Sequence, residues 1–181
     1  FFAGIVGAHN GMMAYGKRTG KYALPRVYQQ PSFRQLIHSY FGLRLPNLKI
    51  VITGSGRVAH GLLEIMNLLG IIEVEPDEYL ARNFSYPVFT QLRGNALYSH
   101  KLNGTYQREH FHENPGEYVC TFRPYTKTTD ILLNGIFWDS RMPRLFEWED
   151  LVTTGFSIQT IADITDDKEG SVPWNLGDAV M

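Results

Sequence analysis

The sequence predicts an α/β fold, a mostly parallel sheet with helices on both faces. Three observations predict it. The apolar run Lys49-Ile50-Val51-Ile52-Thr53 breaks into the turn Gly54-Ser55-Gly56-Arg57-Val58-Ala59, and residues 58–69 follow with helical spacing. Strand-length apolar runs recur at 71–74, 86–92, 131–134 and 158–164. The runs at 49–53 and 131–134 are nearly continuous rather than alternating, which suits strands covered on both faces of a parallel sheet.

Composition fits such a domain. The chain has 181 residues, 44% apolar and 19% charged, enough to bury one core. A net charge of −1 without Lys/Arg runs gives no field favouring nucleic acid or a membrane surface. No apolar run approaches the roughly 18 residues of a membrane span. One cysteine, Cys120, excludes an internal disulfide and favours a reducing compartment, with the cytoplasm as the expectation. Phe1-Phe2-Ala3-Gly4 reads like the middle of a helix, so a piece of a longer protein is expected.

Residues 1–18 carry Ala3, Gly4, Gly7, Ala8, Gly11, Ala14 and Gly16, a tightly packing helix closed by Lys17-Arg18-Thr19-Gly20. Pro31-Ser32-Phe33 opens a second helix, with Pro in its first turn and Gly42 at its end. Gly70 stops the helix of residues 58–69, whose buried side is Leu62, Leu63, Ile65, Met66 and Leu69. Segments 97–101 and 105–108 flank Leu102-Asn103-Gly104 as a small hairpin insertion. Residues 115–122 and 147–152 read as helical. The division expected is 1–46, helices and connector, and 47–181, a dinucleotide-binding domain.

The glycine turn carries the chemistry. Gly54 permits the tight exit from the strand, Gly56 lets backbone approach a pyrophosphate, and Ala59 keeps helix and strand close. This is the Rossmann pattern, and the helix start then offers unpaired N–H groups to phosphates. An acid about 20 residues on is expected to meet the ribose 2′-OH. Glu73 and Glu75 compete for that place, and Glu75 is nearer the strand end. An acid there favours NAD; Arg57, able to pair with a 2′-phosphate, weighs for NADP. His100, His110 and His112 with Glu109 and Glu113 lack ligand spacing for a metal, so none is expected. Cys120 has no neighbouring base in sequence and is not read as a nucleophile.

The chain resembles the saccharopine dehydrogenase and lysine–2-oxoglutarate reductase family, within the alanine dehydrogenase and transhydrogenase superfamily. The resemblance rests on Ile52-Thr53-Gly54-Ser55-Gly56-Arg57-Val58, Val74-Glu75-Pro76, Leu133-Asn134-Gly135-Ile136-Phe137-Trp138, Pro143-Arg144-Leu145, Ile161-Ala162-Asp163-Ile164-Thr165, Gly170-Ser171 and Gly7-Ala8-His9-Asn10. It implies the nucleotide-binding half, with linking interdomain helices, of a two-domain NAD(P)-dependent amino-acid dehydrogenase. Its proton-handling lysine and histidine would lie on the other domain, so this chain alone would be inactive. Gly54, Ser55, Gly56, Arg57 and Val58 would cradle the pyrophosphate, and Glu75 and Pro76 would meet the adenosine. Asn134, Gly135, Ile136, Asp163 and Ile164 would lie near the nicotinamide, with Asp163 orienting the substrate amine or the carboxamide. Arg144 is weighed evenly between a substrate carboxylate and a surface ion pair. The reaction implied is hydride transfer between nicotinamide and a lysine-derived secondary amine. An alanine-dehydrogenase-like enzyme and a non-catalytic nucleotide-binding module are the alternatives. The interdomain helices are also candidates for self-association as a homodimer.

Overall fold

A computed structural model of the chain describes residues 1–165 and 167–177. Five parallel strands form one sheet: β1 (Lys49–Thr53), β2 (Ile72–Glu73), β3 (Val88–Leu92), β6 (Ile131–Asn134) and β7 (Thr160–Asp163). The two intervening strands, β4 (Tyr98–His100) and β5 (Tyr118–Cys120), pair antiparallel in a separate small sheet. The main sheet runs in the order β2-β3-β1-β6-β7. The expected Rossmann-type α/β fold is therefore present, with one departure. β3, and not β2, is the neighbour of β1.

Helices α1 (Phe2–Thr19) and α3 (Arg57–Leu68) cover one face. Ile5, Ala8, Met12 and Tyr15 of α1 and Leu62, Ile65 and Met66 of α3 join Ile50, Ile52, Phe89, Ile131 and Leu133 in one apolar core. The opposite face packs Val51, Val88, Leu92 and Leu132 against Tyr79 of α4 (Pro76–Ala81), Phe111 of α5 (Arg108–Glu113), and Met142, Leu145 and Phe146. The glycines of α1 are spent on closeness. A Cβ on Gly4 would stand 2.1 Å from the Val58 carbonyl oxygen and 3.0 Å from Gly61 Cα, so α1 and α3 touch backbone to backbone.

α1 ends as its sequence implies. Lys17 and Arg18 lie in the last turn, and Gly20, at φ 69°, donates its N–H to the Gly16 carbonyl. His9 is fully buried in this helix. Tyr40 Oη lies 2.8 Å from its Nδ1, and its Nε2 lies 2.7 Å from the Pro25 carbonyl. A carbonyl only accepts, so Nε2 carries the proton and Nδ1 accepts from the tyrosine. Burial lowers the His9 pKa.

Four local expectations are corrected. The hairpin partner of β4 is β5, residues 118–120, because 105–108 turns away into α5. Residues 115–122 are a single 3₁₀ turn followed by that strand, since Tyr118 and Phe122 are both needed in the core. Pro31 stands outside α2 (Phe33–His38), where Ser32 Oγ caps the helix by accepting the Gln35 N–H. α4 and α5 are short helices in stretches where no helix was expected.

Two outcomes follow. Gly4→Ala should lower stability by about 2–3 kcal/mol, although alanine favours helix, because the added methyl meets backbone. Urea unfolding measures this, and an unchanged or raised midpoint would contradict the packing. His9 disfavours its protonated form in the fold. Its contribution is therefore whole above the ordinary value of 6.5 and lost as pH falls through and below it. Melting temperatures measured from pH 7.5 to 5 should fall less steeply in His9→Gln than in the parent.

Candidate functional site

The parallel register sets the site. Leu92, Thr53, Asn134 and Asp163 stand in one row across the carboxyl ends of β3, β1, β6 and β7. The next residue on each strand forms the rim: Arg93, Gly54, Gly135 and Ile164. Between β1 and β6 the chain's winding reverses. α3 leaves β1 onto one face, and the segment after β6 packs Met142, Leu145 and Phe146 onto the other. Such a reversal opens a crevice at the carboxyl edge of the sheet, where ligands of α/β proteins bind.

Gly54 is required there. Its φ is 102°, and a Cβ would stand 2.6 Å from the Gly135 carbonyl oxygen. The two turns thus lie backbone on backbone. Gly54 N–H donates to Leu92 O (3.0 Å), Gly135 N–H to Thr53 O (3.1 Å) and Ile164 N–H to Asn134 O (2.9 Å). The Gln91 side chain adds a bond to Gly54 O (2.8 Å).

α3 starts from this turn at Gly56 without a side-chain cap and with no acid in its first turn. Its first N–H groups and the positive end of its dipole are left for a ligand or water. A Cβ on Gly56 would have nothing within 4 Å, so the space before the helix is open. Ser55, Gly56 and Arg57 are exposed, and Ala59 is fully buried beneath them. The donors suit a phosphate group, and the residues present fit the pyrophosphate of a dinucleotide.

Below the rim lies a polar network. Thr53 Oγ1 donates to Asn134 Oδ1 (2.5 Å), and Asn134 Nδ2 donates to Asp163 Oδ1 (2.7 Å) and Ser171 Oγ (2.9 Å). Asn175 Nδ2 donates to Asp163 Oδ2 (2.9 Å), and Thr165 Oγ1 to Oδ1 (3.1 Å). Burial raises the Asp163 pKa, and these three donors oppose the rise. With both oxygens engaged, Asp163 is built to orient Asn134 and the turn after it.

The sequence-predicted residues divide. Gly54, Ser55, Gly56, Arg57, Val58, Asn134, Gly135, Asp163 and Ile164 converge on the crevice, with Ile136 beside them, buried in the core. Glu75 and Pro76 do not join them. Glu75 is the exposed residue before α4, Pro76 opens that helix, and both follow edge strand β2, beyond β3. Arg144 pairs with Glu147 (3.1 Å) and donates to the Glu169 carbonyl (2.9 Å). Arg93, to which the sequence alone does not point, stands exposed at the rim. Nothing in one sequence reveals that β3 has taken the place beside β1.

His100, His110 and Glu117 bring ligand-type atoms within 4.8 Å of one another, with Glu117 in place of Glu109 or Glu113. The Leu102 N–H donates to His100 Nδ1 (3.2 Å), so in the neutral ring Nε2 bears the proton, aimed at Glu117 Oε2 (3.1 Å). That tautomer suits a hydrogen-bonded clamp. Burial pushes the Cys120 thiol up to about 12, which keeps it protonated near neutrality.

Fold and topology together define a Rossmann-type α/β domain whose winding reverses between β1 and β6. Comparison with known sequences gives it relatives. Over 112 residues, 57% of this chain, it is 32% identical to the mitochondrial alpha-aminoadipic semialdehyde synthase of Rattus norvegicus and 33% identical to that of Bos taurus. Over 148 residues, 69% of the chain, it is 28% identical to alpha-aminoadipic semialdehyde synthase of Arabidopsis thaliana. The chain spans 12–14% of the length of these relatives. No family model matches it. The chain is thus homologous to part of the alpha-aminoadipic semialdehyde synthases, at modest identity, as the resemblance in its motifs implied.

The network makes a prediction. Asp163→Asn puts an amide donor against the Asn134 or Asn175 donor and should cost about 1–3 kcal/mol. It should also weaken binding at the Gly54 turn. Thermal melts with a ligand titration check it; unchanged values in both would mean that the network orients nothing.

Proposed function

We propose that this chain is the nicotinamide-dinucleotide-binding part of an oxidoreductase acting on CH–NH bonds of amino acids, of the saccharopine dehydrogenase type. The observation that carries the reading is the meeting of the Gly54-Ser55-Gly56 turn and the uncapped α3 with the Asn134-Gly135 turn at the carboxyl edge. The relatives support it, being synthases of alpha-aminoadipic semialdehyde by name.

A bound dinucleotide supplies the hydride chemistry. The chain's own residues bind and orient. Ser55, Gly56, Arg57 and Val58 offer backbone N–H groups and a positive helix end to the pyrophosphate. Gly54 and Gly135 keep the floor low enough for it to approach. Asn134, Asp163 and Ile164 form the wall on the far side of the reversal, the place for the nicotinamide. Asp163 and Arg144 are both engaged within the chain, which favours a division of labour. This part holds the cofactor, and the groups that touch the amino acid and move protons come from another domain.

The same observation keeps a second reading in play, a nucleotide-binding module without catalysis. Of location, the animal relatives' names say mitochondrial, and a single half-buried thiol suits any reducing compartment, the cytoplasm included. Among the described residues no helix is long and apolar enough to cross a membrane.

Fluorescence titration of the intact protein with NADH and NADPH should show binding of at least one. Assay with saccharopine, with lysine plus 2-oxoglutarate and with alanine should show turnover with the first or second. Binding without turnover on any of them would select the non-catalytic module, and no binding of either nucleotide would end the proposal.

A further inference from the structure

We propose that Arg93 reads the adenosine ribose and selects a nucleotide bearing a 2′-phosphate, with Arg57 as a second positive charge. The inference rests on the dinucleotide reading above and goes beyond it, because the glycine turn serves both nucleotides alike.

In a Rossmann unit the residue that meets the ribose ends the strand beside β1. The usual order makes that the second strand of the chain, where Glu75 would have favoured NAD. Here β3 stands between β2 and β1. The register aligns Leu92 with Thr53, so Arg93 is level with Gly54 in the rim. Two bonds tie this strand end to the turn, Gly54 N–H to Leu92 O and Gln91 Nε2 to Gly54 O. Arg93 keeps extended backbone, φ −148° and ψ 154°, so the alternation of β3 continues through it. Phe89 of that strand packs with the α3 core, and Arg93, an even number of residues later, leaves the sheet toward the same face. Arg57, first residue of α3, is exposed on that side. Arg93 is exposed and makes no ion pair among the described residues.

The chemistry follows. A guanidinium matches the oxygens of a phosphate monoester with parallel N–H donors, and it gains far less from a neutral hydroxyl. Glu75, whose charge would repel that phosphate, stands beyond β3.

Binding of NADPH and NADH to the intact protein, with 2′,5′-ADP and 5′-AMP as competitors, tests the assignment without turnover. NADPH should bind more tightly than NADH, and 2′,5′-ADP should compete better than 5′-AMP. Arg93→Ser, an exposed position whose folding is checked by circular dichroism, should weaken NADPH and 2′,5′-ADP about 10- to 100-fold, the scale of one charge-assisted hydrogen bond. It should move NADH by less than about threefold, within the spread of an indirect effect. Equal weakening of both nucleotides, or none, overturns the role of Arg93. So does a change of nucleotide ratio in Glu75→Gln with none in Arg93→Ser. Tighter NADH binding in the parent overturns the 2′-phosphate while leaving the dinucleotide site standing. Failure of every nucleotide to bind removes the site itself.

Discussion

The contact of two turns, Gly54 on Gly135, is the constraint on which the rest of the crevice depends. A side chain at Gly54 would meet a carbonyl oxygen, and the φ of 102° already demands glycine. Because these backbones touch, β1 and β6 end level with each other and the floor between them is peptide. A rigid peptide floor presents dipoles whose direction is fixed before any ligand arrives, so little ordering cost falls on binding. The residues on either side inherit their positions from it. Arg93 is level with the turn through the β1–β3 register, and Ile164 through its bond to Asn134.

Electrostatically the site has two storeys. Above the floor are the uncapped start of α3 and exposed arginines, a positive environment with no acid in the first turn. Below it, Asp163 sits half-buried among neutral donors from Asn134, Asn175 and Thr165. An acid held in this way costs stability when charged, and burial raises its pKa accordingly. Its return is geometric. It fixes which way the Asn134 amide faces, and through Thr53 it ties β1 to β6. In the proposed reading, anion binding and shape fall to different atoms.

What could be read from the sequence was local. The strand at 49–53, the glycine turn, the helix after it and the buried strand at 131–134 all follow from spacing, propensity and glycine chemistry, and each is present. The convergence of Gly54 with Asn134-Gly135 was reached through resemblance. What stayed hidden was order in the sheet. A βαβ crossover has the same sequence pattern whether β2 lands beside β1 or one strand further out, and this alone decided between Glu75 and Arg93. The β4–β5 pairing was hidden for a related reason. Leu102-Asn103-Gly104 does turn the chain, but core demand for Phe111 and Tyr118 sends the next segment into α5 and recruits the partner strand from 118–120.

The small residues of α1 have a consequence for when the fold can close. Gly11 lies against Ala162 and Leu133, and Gly7 against Ile164. The first helix therefore has its seat on the last strand, almost the whole chain away. Contacts of such separation slow folding, because the loop between them must be ordered first. During synthesis α1 emerges with its glycine face uncovered and waits for some 150 residues to be made. Until β7 docks, α1 rests on α3, on Leu133 of β6 and on the Pro25 and Tyr40 partners of His9, and the row of side chains beneath the crevice is missing its final member, Asp163.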